Sequence, residues 1–228
     1  MKNHLDFTID FETTALTANA AVMQVAVVPW LRDNVTDPFF NECDEGIFVG
    51  HVDLRSCIVE GFDFDPDTIK WWSEKSEAAK SAVTDGFPEP ITDVLIAMLD
   101  YIRNFVDRRE LNSMCLWCQG ADMDIAILRN ICHKYDVDLE SIVPYTSFRD
   151  CRTVILEAAM TDIDDQRTFN DGVEVTPKSI MLNPSLAYGC YRPLPDLYAN
   201  GSEAHDAVYD AVRSSWFTWQ ALKRMHHM

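Results

Sequence analysis

A chain of 228 residues that is 47% hydrophobic and 25% charged has enough apolar side chains for one substantial core, and a single domain over residues 1–228 is expected. Its 37 acidic against 19 basic residues leave a net charge of −18, which repels phosphate backbones at long range and argues against a passive nucleic-acid-binding module. Seven scattered cysteines suit free thiols in a reducing compartment, and no run approaches ~18 uncharged apolar residues, so a disulfide framework, secretion and a membrane span are not expected.

The opening "HLDFTIDFETT" alternates Leu5, Phe7 and Ile9 with polar residues, the period-2 signal of a strand, and "AAVMQVAVVPW" reads as its hairpin partner. "GIFVGHVDL" supplies a third strand. "DPDTIKWWSEKSEAAKSAV" then turns helical, with Asp67 as cap and Thr68 opening the turn. In "EPITDVLIAMLDYIRNFV", Ile91, Val94, Leu95, Met98, Ile102 and Phe105 form one stripe of a long helix that is core packing. A buried-type strand "SMCLWC" precedes the helix "QGADMDIAILRNICHKY". Cys115 and Cys118 make a C-x₂-C without a second pair at zinc-site spacing, and are read as core thiols. From Thr161 to Gly201 the pattern weakens into a surface excursion, with a small hairpin at Asp171-Gly172 and a turn at Asn200-Gly201. The last helix carries Val208, Ala211, Val212, Ser215, Trp219 and Leu222 inward.

Polar residues stand out against these elements. Asp10 and Glu12 lie two apart on the first strand and project from one face. Adjacent carboxylates are costly unless a cation binds between them, although two exposed strand-end acids are the plain alternative. Asp124 opens a helix directly after an apolar strand, where α/β sheets present ligands to a crevice; a simple helix-start acid is the alternative there. Asp210 sits about one turn into the last helix among apolar neighbours, where a lone carboxylate needs a partner. His205 precedes it by five residues, about 140° around an ideal helix, which places the histidine at the helix entrance or in a loop.

Together "IDFETT", "WCQGADMDIAILRN" and "HDAVYDA" resemble the three motifs of the DEDDh family of 3′-to-5′ exonucleases, and the His205 to Asp210 spacing marks its histidine subgroup. "TIKWWSEKSEAA" and "FRDCRT" are similar to segments of the DexA-type DNA exonucleases of large tailed phages. The resemblance runs from residue 5 to about residue 216, with the 161–201 region unmatched. It implies a ribonuclease-H-like (DnaQ-like) α/β fold, a mixed sheet flanked by helices. It also implies metal-dependent hydrolysis of single-stranded DNA from the 3′ end to nucleoside 5′-monophosphates. Asp10, Glu12, Asp124 and Asp210 would be ligands of two Mg²⁺ or Mn²⁺ ions, and His205 the general base. The partner would be a nucleic acid 3′ end, with no membrane, in the cytoplasm (of a host cell, if the chain is phage-encoded). An exoribonuclease of the same fold and a non-catalytic nucleic-acid-associated regulatory protein are the alternatives.

Family members often have an aromatic residue where this chain has Met123, and "GADMD" offers both Asp122 and Asp124. Only Asp124 aligns the following "IAILRN" with the family's apolar helix. Asp206 is read as a helix-start acid. Thr13 and Thr14 follow the first motif and stand to hydrogen-bond the 3′-terminal nucleotide, or are plain turn residues. Trp71 and Trp72 point about 100° apart on a helix, so one is core and the other, taken as Trp72, stacks on the substrate.

Overall fold

The computed structural model describes residues 4–40, 46–107, 114–161, 167–168, 174–199 and 205–226. β1 (Leu5–Thr13) pairs antiparallel with β2 (Val22–Leu31), which pairs antiparallel with β3 (Phe48–His51). The helices α1 (Leu54–Val59), α2 (Pro66–Ser73), α3 (Glu77–Thr84) and α4 (Ile91–Asp107) follow. β4 (Met114–Cys118) then joins β1 in parallel, and after α5 (Asp124–Lys134) comes β5 (Phe148–Asp150), parallel to β4. The sheet order is β3-β2-β1-β4-β5. The remaining elements are α6 (Cys151–Thr161), the antiparallel pair β6 (Arg167–Thr168) and β7 (Glu174–Val175), α7 (Pro177–Leu182), a 3₁₀ stretch Pro184–Cys190, α8 (Asp196–Ala199) and α9 (Ala207–Met225).

Central β1 is covered on both faces. Leu5, Phe7, Ile9 and Phe11 enter one core with Val25 and Val27 of β2, Leu116 of β4, and the predicted stripe of α4, all six members of which are buried. Ala26, Val28 and Trp30 of β2 and Trp117 of β4 enter a second core built with α6 and α9. Because successive strand residues alternate sides, β1 presents Asp6, Thr8, Asp10 and Glu12 to that second core. Each must be matched there. Asp6, 1% exposed, accepts hydrogen bonds from Nε and Nη2 of Arg32, each at 2.8 Å. Thr8 accepts the Trp30 indole N–H at 3.0 Å and lies 2.8 Å from the Ser215 hydroxyl of α9.

Burial raises the Asp6 pKa despite Arg32, so this ion pair fixes position more than it adds stability. Arg32→Met, which strands the buried carboxylate, is expected to cost about 3 kcal/mol in chemical denaturation. Replacing both partners, Asp6→Leu with Arg32→Met, is expected to recover most of it.

Two local expectations are corrected. Asp65, not Asp67, caps α2, accepting the Asp67 N–H at 3.1 Å, because Pro66 takes the first helical position. The helical segment forms two helices, with Ser76 capping α3. The segment expected as a surface excursion contributes Val175, Ile180 and Ala187 to the second core. β6 and β7 flank Asp171-Gly172, but that turn and Asn200-Gly201 lie outside the described residues. Among the described residues, no helix is long and apolar enough to cross a membrane, and all described cysteines are free.

Candidate active site

The polar side chains converge at the C-terminal ends of the parallel strands β1 and β4, where the turns from strand to helix open a crevice. Asp10 and Glu12 close β1, and the β1–β2 register breaks between Glu12 and Thr13, an irregularity of the kind that re-aims side chains beside sites. Asp124 is the first residue of α5 and is 7% exposed. Its carboxylate accepts the Phe11 N–H at 3.3 Å, which latches the start of α5 to β1 between Asp10 and Glu12. Asp122 is exposed. The turn before α5 needs Gly120, whose φ of +129° suits no other residue well.

From the other side, Asp210 stands in the first turn of α9 and accepts the His205 N–H at 2.9 Å. Ligand atoms of Glu12, His205 and Asp210 all lie within 4.8 Å of one another. Asp206 is the N-cap of α9, accepting the Val208 N–H at 3.1 Å. Gln24 accepts the Ala207 N–H and donates to the Ala82 carbonyl, each at 3.0 Å, and so ties β2 to the entrance of α9. Sequence reasoning passed over Gln24; a lone amide in the apolar run "VMQVAVV" was its signal.

The electrostatics are those of carboxylates crowded into a buried crevice. Burial, then Asp124, Glu12 and Asp210, hold the Asp10 carboxyl well above the usual carboxylate range. Burial and the neighbouring Asp210, Asp206 and Asp124 push Glu12 up to about 8. Burial raises Asp124 to about 7 against the opposing Phe11 hydrogen bond. Asp210 is raised by burial against the His205 N–H and Arg213. The largest influences on Asp10 and Glu12 are burial and the neighbouring carboxylates. A cluster of hard carboxylate oxygens that raise one another's pKa fits Mg²⁺ or Mn²⁺, whose charge would offset their mutual repulsion.

His205 adopts φ +74°, a left-handed conformation uncommon outside glycine, in the turn before α9. Its ring meets Trp71 edge to face at 4.6 Å between centroids, and Trp72 at 6.1 Å. Burial first, and Lys75 second, lower its pKa below 6.5 against the pull of Asp210. Lys75 itself lies with its ammonium 3.6 Å from the Trp71 ring centre.

Beside Glu12 opens a pocket of about 450 Å³ between Phe11, Thr13, Leu16, Trp71, Trp72 and Met123. Trp72 is 8% exposed and its indole donates to the Thr13 carbonyl at 2.9 Å, whereas Trp71 is 40% exposed. Trp72 therefore braces the wall and Trp71 offers the open ring, which reverses the expectation that Trp72 stacks on the substrate, because the Thr13 carbonyl captures the Trp72 indole. The Thr13 hydroxyl donates to the Ala15 carbonyl at 2.8 Å. The Thr14 hydroxyl points inward to the Asp63 carbonyl at 2.9 Å, off the pocket wall. Met123 fills the slot that is often aromatic in the resembling family.

Residues 5–176 match the model of the 3′-5′ exoribonuclease Rv2179c-like domain. Across 96% of its length the chain is 25% identical to an exodeoxyribonuclease of Enterobacteria phage T4, covering 89% of that protein. Among solved structures, apo exonuclease I superposes with a TM-score of 0.56 at 12% identity over 97% of this chain, which spans only 42% of the exonuclease I chain. The nuclease domain of 3′hExo, a DEDDh family member bound to rAMP, gives a TM-score of 0.52 at 13% identity, with 96% and 92% of the two chains covered. The mixed sheet flanked by helices is thus the ribonuclease-H-like fold of DEDDh exonucleases.

Proposed function

Since this chain belongs to the Rv2179c-like 3′-5′ exoribonuclease domain family, we propose that it is a metal-dependent enzyme that removes nucleoside 5′-monophosphates from the 3′ end of single-stranded DNA. It is a 3′-5′ exonuclease of the DEDDh type. The observation that carries it is the meeting of Glu12, Asp210 and His205 within 4.8 Å, beside Asp10 and Asp124, in a cluster whose members raise one another's pKa.

In this reading Asp10, Glu12, Asp124 and Asp210 hold two Mg²⁺ or Mn²⁺ ions. Such ions, when bound, offset charge on the attacking and leaving oxygens of a phosphodiester. The His205 imidazole, kept neutral near pH 7 by its lowered pKa, takes the proton of the attacking water. Asp210 holds the His205 backbone N–H, and Trp71 packs edge to face on the imidazole beside the acids. The pocket beside Glu12 receives the terminal base, with Trp71 as stacking surface, Trp72 as its brace and Thr13 at the edge. Thr14 acts from behind, by holding the turn.

DNA is favoured by the phage T4 relative, an exodeoxyribonuclease. RNA is the second reading, favoured by the family's description. Labelled DNA and RNA oligomers of one sequence, digested side by side with Mn²⁺ and with chelator, decide between them. Faster metal-dependent release from DNA is expected. Faster release from RNA installs the second reading, and release from neither sinks both, in favour of a non-catalytic binding protein.

The raised carboxyls also predict a pH effect. Glu12 titrates near 4.5 when unfolded and near 8 when folded, so between these values the folded state binds more protons and stability falls as pH rises. Metal-free protein is expected to melt lower at pH 8 than at pH 5, with Mn²⁺ restoring the midpoint at pH 8. Asp10→Asn/Asp210→Asn should melt higher than wild type without metal and gain little from it. Equal metal-induced shifts in both proteins would place the ions elsewhere.

A further inference from the structure

α9 is nearly enclosed: between Ala211 and Leu222 only Arg213 and Gln220 escape burial, and Lys223 and Arg224 follow at the accessible end. Arg213, Gln220 and Arg224 recur at intervals of seven and four residues, which puts them on one stripe. This seam starts beside Asp210 and reaches Arg224 about 21 Å further on, at about 1.5 Å per residue. Arg192 joins it from the chain alongside, its N–H donating to Gln220 Oε1 at 2.9 Å and its carbonyl accepting from Nε2 at 3.0 Å.

Arg192, Lys223 and Arg224 surround a pocket of about 320 Å³ with Tyr191. The Arg213 guanidinium lies 4.7 Å from the Tyr188 ring, and that of Arg224 lies 5.7 Å from Tyr191. Burial lowers the Lys223 pKa, and the nearby Arg192 adds to it. Among the described residues no carboxylate forms an ion pair with Arg192, Arg213 or Lys223. In a chain with 37 acids against 19 bases, cations gathered along one seam and interleaved with tyrosines match the pattern of a backbone-tracking groove.

We propose that this seam is a phosphate track, in which Arg192, Lys223 and Arg224 hold the single strand about six phosphates 5′ of the cleaved bond, at a stacked spacing of about 3.4 Å. The strand's direction rests on the exonuclease reading; the binding does not. The track accounts for how so acidic a chain retains a polyanion: the repulsive surface is bypassed along a local positive line.

The test compares wild type with Arg192→Gln/Lys223→Gln/Arg224→Gln, which removes the charges and keeps polar, hydrogen-bonding side chains. Binding of fluorescein-labelled oligo(dT) of about 20 nucleotides is followed by anisotropy in chelator across a salt series. Its Kd is expected to weaken about tenfold, and the slope of log Kd against log salt to fall by about 2, at about 0.7 per phosphate contact. Digestion of a thymidine trinucleotide, which ends short of the patch, should stay within about twofold. An unchanged Kd and salt slope would overturn the track, as would an equal loss on the trinucleotide. Loss of binding to an Asp/Glu-rich peptide with oligo(dT) binding unchanged would also overturn it and reassign the patch to an acidic protein partner. If the triple variant fails to fold, the exposed Arg192→Gln alone should still lower the slope by about 0.7. Wild-type binding without mononucleotide release would remove the exonuclease reading and leave the track standing.

Discussion

Asp124→Asn is expected to lower kcat at saturating Mn²⁺ by about 10²–10³-fold or more, the cost of losing a group on which transition-state charge stabilisation depends. The fold should survive. Asparagine keeps a side-chain oxygen to accept the Phe11 N–H that Asp124 accepts at 3.3 Å, and removing a carboxyl held up near 7 relieves repulsion in the metal-free protein. Asp122→Asn is the matched control, because this side chain is exposed, and its kcat should stay within several-fold of wild type. If Asp122→Asn is the inactive variant, the second acid of the cluster is misassigned by two residues.

His205→Ala should cut kcat by about 10²–10⁴-fold, the usual worth of a positioned proton acceptor, while substrate and metal affinity change little. A general base acts in its neutral form, so the wild-type rate rises with pH through the histidine's pKa, which burial and Lys75 set below 6.5. In His205→Ala that limb should flatten. Saturating metal is essential, since Glu12 and Asp124 hold protons up to about 8 and about 7 in its absence and metal binding must displace them. Asp206→Asn is the control: asparagine caps a helix as well as aspartate, so α9 and the rate should be nearly unaffected. Loss of activity in Asp206→Asn together with a near-normal His205→Ala would move the proton acceptor elsewhere.

Much of this site could be read along the chain because its parts follow local periodicities. The alternation at Leu5, Phe7 and Ile9 fixed which side of β1 was apolar, and therefore put Asp10 and Glu12 together on the other. Asp124 was separated from Asp122 by the family resemblance instead, through the apolar helix that follows; in the structure Ile125 and Leu128 are buried behind Asp124, and Asp122 is exposed. Contacts between distant residues were not legible. Asp6 reads as a solvent-facing acid until Arg32, 26 residues away, is seen to cover it. β5 has three residues, too few to show a period, and the strand-to-helix step it makes into α6 was missed with it. Neighbouring Trp71 and Trp72 were known to diverge, but which one opened to solvent depended on the Thr13 carbonyl that captures the Trp72 indole.

The alternation of β1 also checks its own assembly. A slip of one residue against β2 or β4 exchanges the two faces of a strand, and here it would drive Asp6, Asp10 and Glu12 into the core that receives Leu5, Phe7, Ile9 and Phe11. Each unpaired carboxylate forced there costs several kcal/mol, so misregistered sheets are discarded while the chain is still folding. An uninterrupted apolar strand would tolerate the same error. The acids that congregate in the crevice thus act earlier as a register key, and a molecule that folds at all folds with them in place.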